Sequence, residues 1–318
     1  MFSIKQPNQI VIGKGSAHNF QYPNNSLLIT SKGAKSRGWI KYLDVDESVT
    51  IYDQVENNPS MDTVKKILKE FSNLNFSCII GLGGGSCLDV AKYLGYELKK
   101  HKILIPTTFG SGSEVTRISV LKINGKKKSF HSDDLIANVA IEDTYFLKNM
   151  PREIFNNSVI DSCAQATEAY DSKNSNPYTK FLCKTAFEKL ERGIFNNDNE
   201  SIVLGSLYTG LGFGNSSTTL GHALSYVFSN EGISHGHALA HTTTIAHKFN
   251  NSIFTKRFLE IVKKLNFQPI RLKQNFNEAA ELILLDKKHL DNNPKTVRKN
   301  DIINLLKQLN ESDGVSDL

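Results

Sequence analysis

Through its first 150 residues the chain alternates short apolar runs with helically spaced ones. Runs at 26–30, 49–52, 78–82 and 103–106 have the length and composition of buried strands, and 61–71 places Val64, Ile67, Leu68 and Phe71 at a helical period. The third run leads straight into Gly83, Gly84, Gly85 and Ser86 and then a helical pattern over 88–98. Strand, helix, strand, helix predicts a parallel sheet with helices on its faces. From about residue 150 the strand-like runs stop, and helical patterns follow at 159–170, 178–195, 201–213, 254–265, 277–285 and 300–309. The expected organisation is an α/β domain over 1–150 and an all-α domain over 151–318, with no internal repeat or low-complexity tract.

Composition narrows the class. With 318 residues, 39% hydrophobic and 22% charged, the chain has the profile of an ordinary globular protein with real cores. The net charge of +6 comes from scattered lysines and short clusters such as 126–128. These read first as solvated surface and second as a field that favours anionic small molecules. No recognition motif or aromatic-basic interleaving points to nucleic acid. Cys78, Cys87, Cys163 and Cys183 lack zinc-finger spacing, no stretch reaches the ~18 apolar residues of a membrane span, and no apolar leader opens the chain. A reducing cytoplasm is the expected location.

The glycine tract is the first candidate for chemistry. Three glycines between a strand and a helix let the backbone approach a pyrophosphate, and the helix N-terminus offers free N–H groups. Residues 83–92 read GGGSCLDVAK, and 106–116 read PTTFGSGSEVT. Together, in this order, they resemble the GGGSxxDxAK and PTTxGTGSEVT signatures of the iron-containing (metal-dependent, group III) alcohol dehydrogenases. The stretch at 12–16 is similar to that family's opening hairpin, 139–143 to its strand before the domain junction, and Asp286 with Asn293 and Pro294 to its closing helices. The resemblance implies the family's architecture, shared with dehydroquinate synthase: a nucleotide-binding α/β domain and a helical metal-binding domain. It also implies a small aldehyde or alcohol as substrate, a homodimer, and cofactor contacts from Gly84, Gly85, Ser86, Asp89, Thr107, Thr108, Ser111 and Lys128.

The resemblance extends to a metal site. Residues 161–170, DSCAQATEAY, resemble the family's DxxxHAxEAY, with Asp161 in place and Gln165 where a histidine ligand would stand. An amide oxygen is a weaker donor than imidazole. His222 in GHALSY and His235 in SHGH match the two later histidines. The implied set is Asp161, Gln165, His222 and His235 around one divalent ion, Fe2+ or Zn2+, able to polarise a carbonyl. Tyr226 stands where many members carry a further histidine, and His237 adjoins the set; both are candidate catalytic groups. His241 and His247 read as structural.

Cofactor choice turns on Ser31. NAD-preferring relatives carry an Asp at this place, which repels a 2′-phosphate; a hydroxyl near Lys32, Lys35 and Arg37 suits NADP(H) over NAD(H). Arg117 and Arg152 are candidate partners for an anionic tail. The expected activity is NADPH-linked reduction of a short acidic aldehyde, such as succinic or malonic semialdehyde or phosphonoacetaldehyde. The alternatives are a glycerol-1-phosphate dehydrogenase or dehydroquinate synthase on the same scaffold, or a cofactor-binding protein without activity.

Overall fold

The structure, a computed structural model, describes residues 1–312 and Gly314. It forms two compact units, Met1–Met150 and a second beginning at Pro151.

The first unit is built on six strands: β1 (Gln9–Ile12), β2 (Leu27–Ile29), β3 (Thr50–Tyr52), β4 (Cys78–Gly83), β5 (His101–Pro106) and β8 (Val139–Glu142). They pair in the order β1-β8-β5-β4-β2-β3, every pairing parallel. All six residues of β4 are buried, which explains its unbroken apolar run: a strand covered on both faces has no polar side to alternate with. Helices α1 (Ser16–Asn19), α2 (Lys32–Ser36), α3 (Trp39–Leu43), α4 (Met61–Glu70) and α5 (Gly85–Glu97) connect the strands. Helix α5 lies close on the sheet because position 81 is glycine; a Cβ there would stand 2.8 Å from both Ala91 Cβ and Leu104 Cδ2.

Two features depart from the sequence reading. The opening residues form no hairpin: β1 runs parallel to β8 and is followed by α1. A hairpin occurs instead at β6 (Ile118–Ile123) and β7 (Lys126–His131), closed by Asn124 and Gly125, both at positive φ. Such a two-residue turn matches the twist of the paired strands, and it carries the 126–128 lysine cluster.

The second unit is helical. Its elements are α6 (Arg152–Asp171), α7 (Pro177–Asn196), α8 (Asn199–Phe213), α9 (Leu220–Asn230), α10 (His235–Asn250), α11 (Thr255–Leu265), α12 (Phe276–Leu284), α13 (Lys287–Asn292) and α14 (Lys299–Glu311). Two glycines let α9 and α10 approach their neighbours closely. A Cβ on Gly221 would meet Glu168 Oε1 at 2.2 Å, and one on Gly236 would meet the Asn157 carbonyl oxygen at 2.2 Å. None of the described helices is long and apolar enough to cross a membrane.

Helix α10 also buries two neutral histidines. The His241 Nε2 lies 2.8 Å from the Gln268 carbonyl, and the His247 Nε2 lies 2.8 Å from Thr167 Oγ1. Burial pulls both imidazoles down to about 4. The unfolded chain therefore takes up these protons near pH 6.5 and the folded one only near 4, so their stabilisation is present at neutral pH and lost as pH falls between those values. Each accounts for about 3 kcal/mol over that window. Urea unfolding followed from pH 7 to 4.5 is expected to show the loss, and His247→Gln to remove about half of it; a flat profile would contradict this account.

Candidate metal centre and nucleotide cradle

The C-terminal end of β4 turns sharply. Gly83 sits at φ +150, and a Cβ there would stand 2.7 Å from Cys87 Sγ. Gly84 precedes α5 as a residue with no side-chain cap, which leaves the first-turn amides for an anion. The space above the turn is narrow. A Cβ on Gly84 would lie 3.0 Å from Thr108 Oγ1, and one on Gly85 would lie 3.0 Å from Ser111 Oγ. Thr107, almost fully buried, donates its N–H to the Gly83 carbonyl at 2.9 Å and so ties the second motif to the first. The Ser86 hydroxyl accepts from Asn58 N at 3.3 Å. Gly84, Gly85, Ser86, Thr107, Thr108 and Ser111 thus come together.

Ser31 caps α2, its hydroxyl accepting from Ala34 N at 3.3 Å, and it also meets the Cys87 thiol. Burial pushes that thiol up to about 12. Thr30 donates to the Leu82 carbonyl at 2.7 Å, which fixes the end of β2 beside the end of β4. No carboxylate stands at position 31; Asp53, at the end of the neighbouring β3, is paired with Lys35 at 2.8 Å.

Asp89 departs from the expected cofactor contact. Its Oδ1 accepts from Ser113 Oγ at 2.6 Å and its Oδ2 from Val120 N at 3.0 Å, with Lys92 Nζ 3.5 Å away. Lys92 is fully buried and donates to the Thr116 and Ile118 carbonyls. The Asp and Lys of the GGGSxxDxAK pattern therefore pin α5 to the 113–120 segment and support the cradle from beneath. Lys128 projects from the exposed β7, its Nζ 6.0 Å from the Phe130 ring.

In the helical unit, Asp161 from α6, His222 from α9 and His235, the first residue of α10, converge. One donor atom from each lies within 4.8 Å of the others. Asp161 Oδ1 is 3.7 Å from His222 Nε2 and 3.9 Å from His235 Nε2. Each imidazole has a polar group beside its other nitrogen: His222 Nδ1 stands 3.2 Å from Glu168 Oε1, an ion-pair contact, and His235 Nδ1 lies 3.4 Å from Ser225 Oγ. A partner at Nδ1 leaves Nε2 as the donor nitrogen aimed at Asp161.

Glu168, two turns after Asp161 on the same helix, is the residue that the sequence reading leaves unassigned. Its Oε2 accepts from Thr219 N at 2.7 Å and Thr219 Oγ1 at 3.0 Å, and its Oε1 from Thr243 Oγ1 at 3.0 Å. Burial would raise this carboxyl, but His222 and the donated hydrogen bonds outweigh burial and hold it at about 2. Burial likewise opposes the charged form of His222, yet Glu168 and Asp161 raise it to about 9.

The set suits a divalent ion: one anionic oxygen and two oriented imidazole nitrogens are a common metal environment. Two further observations agree with it. Both ring nitrogens of His222 and Gln165 Oε1 are buried without a hydrogen bond of good geometry among the described residues, although His222 Nδ1 lies within ion-pair distance of Glu168. Gln165 uses its amide nitrogen on the cluster itself, donating to Asp161 Oδ1 at 2.8 Å. Access is from the His235 side, whose side chain is 35% exposed against 7% for His222. Tyr226 stands beside that opening, its ring 6.3 Å from the His235 ring and nearly parallel to it. His237 points elsewhere: two residues after His235 on the same helix, it reaches the Gln268 carbonyl at 2.6 Å together with His241. Arg117 is paired with Asp133 at 3.2 Å, and Arg152 lies over the Phe155 ring.

The chain thus combines a parallel-sheet unit that carries a glycine turn at the end of β4 with a helical unit that carries an Asp–His–His cluster. The chain belongs to the iron-containing alcohol dehydrogenase family: residues 7–144 match iron-containing alcohol dehydrogenase, and 155–284 match the C-terminal region of the Fe-containing alcohol dehydrogenase family. It is 37% identical over 209 residues to the 4-hydroxybutyrate dehydrogenase of Clostridium kluyveri, a match covering 57% of this chain and 56% of that protein. It is 28% identical over 263 residues to the sulfoacetaldehyde reductase of Bilophila wadsworthia, covering 71% and 67%. Its fold matches that of a sulfoacetaldehyde reductase from Bifidobacterium kashiwanohense solved in complex with NAD+, with a TM-score of 0.87, 22% identity, and coverage of 98% of this chain and 100% of that one. The sequence match thus spans little more than half the length of the clostridial relative.

Proposed function

We propose that this protein reduces a short-chain aldehyde with an acidic tail to the alcohol, using NADPH and one divalent metal ion. The observation that carries the reading is the convergence of Asp161, His222 and His235, each imidazole with a polar side chain beside its Nδ1. These three side chains would hold the ion, and Gln165 belongs to the same cluster through its amide. Bound there, the ion supplies Lewis acidity to the reacting oxygen. Glu168 holds His222 in its donor tautomer, Ser225 orients His235, and the Tyr226 hydroxyl donates a hydrogen bond to the substrate oxygen. The amides that open α5 take the cofactor pyrophosphate. Support for an acidic tail comes from the relatives, since 4-hydroxybutyrate and sulfoacetaldehyde both carry an anionic group opposite the reacting carbon. NADPH is favoured by the neutral Ser31, with the carboxylate of Asp53 already engaged by Lys35.

The test is a screen of C2 to C4 aldehydes, with and without a carboxylate, sulfonate or phosphonate tail, after loading with Fe(II) or Zn(II). Tailed aldehydes with NADPH are expected to give the highest kcat/KM; equal turnover of untailed ones would remove the tail from the reading. Ser31→Asp is expected to shift the NADPH-to-NADH ratio toward NADH by at least tenfold, about 1.4 kcal/mol. A wild type that already prefers NADH would overturn the argument from Ser31.

A further inference from the structure

Two imidazoles that the family resemblance leads one to expect, at 165 and 226, are a glutamine and a tyrosine here. A third imidazole, which the sequence reading does not single out, faces the same place. His289 is 8% exposed, and its ring lies 6.2 Å from the His222 ring, inclined by 20°, and 5.9 Å from the Tyr226 ring. We infer that His289 is the fourth metal donor of this chain, in place of the histidine absent at 165; the inference rests on the metal reading above.

Its tautomer is set. Asp286 caps α13 through the His289 N–H at 3.4 Å and also takes the ring, with Nδ1 2.6 Å from Asp286 Oδ2. A capping aspartate needs only the backbone amide; the second contact fixes the imidazole. With Nδ1–H donated to a carboxylate, Nε2 carries the lone pair, the arrangement in which histidines bind metals. His222 has a carboxylate beside its Nδ1 as well, Glu168 Oε1 at 3.2 Å.

Its position is set too. The Asn292 amide donates to the Ser216 carbonyl at 2.9 Å and the Thr218 carbonyl at 3.0 Å, tying α13 to the segment that leads into α9. Two imidazoles on one ion, at about 2.1 Å per nitrogen, place their ring centroids roughly 5–6 Å apart. The His222 and His235 rings are 5.6 Å apart and the His222 and His289 rings 6.2 Å. His289 stands outside the 4.8 Å group formed by the other three donors, so joining them on one ion requires its ring to move toward them from the place seen here. Gln165 is the competing donor. Its amide nitrogen is engaged by Asp161, while its Oε1 is buried without a partner among the described residues, so the test below sets the two donors against each other.

Cobalt(II) provides the test, because chelator competition gives its affinity and its visible spectrum reports the donor set without reference to activity. His289→Ala is expected to weaken cobalt binding at least tenfold and to change the visible bands, while Asp286→Asn, which keeps a capping side chain, weakens it less. Gln165→Ala is expected to weaken it less than His289→Ala. An unchanged affinity and spectrum in His289→Ala would overturn the inference while leaving the metal reading intact, and a tenfold loss confined to Gln165→Ala would assign the fourth donor to the amide oxygen. A wild type that takes up no stoichiometric cobalt would overturn the metal reading and this inference together.

Discussion

His235→Ala is expected to bind no stoichiometric divalent metal and to lose at least about 10³-fold in kcat/KM for aldehyde reduction, while its affinity for NADPH stays within twofold of wild type. The size follows from what the site supplies: Lewis-acid stabilisation of a developing oxyanion is worth several kcal/mol, and about 4 kcal/mol corresponds to a thousandfold. The cofactor should be indifferent, since the glycine cradle is built wholly within the first unit from β4, α5 and the Thr107–Ser111 segment. His235 is the better choice over His222 for reasons of folding. Its side chain is 35% exposed and leans on the Ser225 hydroxyl, so its removal strands no buried charge, whereas loss of His222 would leave Glu168 ionised and unmatched. Metal content by elemental analysis, nucleotide titration by fluorescence and steady-state rates on one preparation decide the matter. A variant with full activity and no metal would remove the Asp161–His222–His235 cluster from the mechanism.

What the sequence reveals of this protein follows burial. The α/β half is legible because buried parallel strands read as continuous apolar runs, as in β4, and because α4 turns one apolar stripe, Val64 and Ile67, toward the core. Helix α11 is legible for the same reason, with Phe258, Ile261, Val262 and Leu265 buried and lysines outward. Of the helices that carry the candidate site, α6 is legible over 159–170, but α9, α10 and α13 are not. Most residues of α9 and of α10 are buried, so neither has a broad polar face to set a period, and α13 has only six residues. His222 and His235 are found by motif resemblance alone. The β6–β7 hairpin did have its signal, Asn124 and Gly125, set between two strand-like stretches.

Second-layer residues are harder still, because their chemistry is a matter of partners. Asp89 and Lys92 belong to a motif that suggests cofactor contact, yet the structure turns both inward, where Ser113, Val120 and the Thr116 carbonyl satisfy them. Glu168 lies in the same motif as Asp161, seven residues on and therefore on the same helix face. Its role needs Thr219, Thr243 and His222, which come from two other helices and the loop between α8 and α9. No spacing rule within α6 announces those partners.

Glu168 is accordingly where a single substitution should cost the fold most. Glu168→Ala removes the acceptor of Thr219 N, Thr219 Oγ1 and Thr243 Oγ1, and it takes away the carboxylate that raises His222 to about 9, so that burial again disfavours the charged imidazole. Breaking one half of a buried ion pair costs about 3–5 kcal/mol. The sign with pH follows from the pair. Glu168 is lowered to about 2, so its contribution holds above the ordinary carboxylate range and is lost as pH falls toward 2; His222's holds below about 6.5 and is lost as pH rises through 9. The penalty for Glu168→Ala should therefore be largest between roughly pH 5 and 6.5 and shrink toward pH 9. Glu168→Gln separates folding from function. It keeps an acceptor for Thr219 and should fold, but it no longer offers His222 Nδ1 a carboxylate, and loss of such an outer partner lowers metal affinity by about 10–100-fold. Urea unfolding of the metal-free variants across this pH range, with metal dissociation constants from chelator competition, tests both halves. If Glu168→Gln binds metal as tightly as wild type, Glu168 is a brace between α6, α9 and α10 and does not set the donor nitrogen of His222.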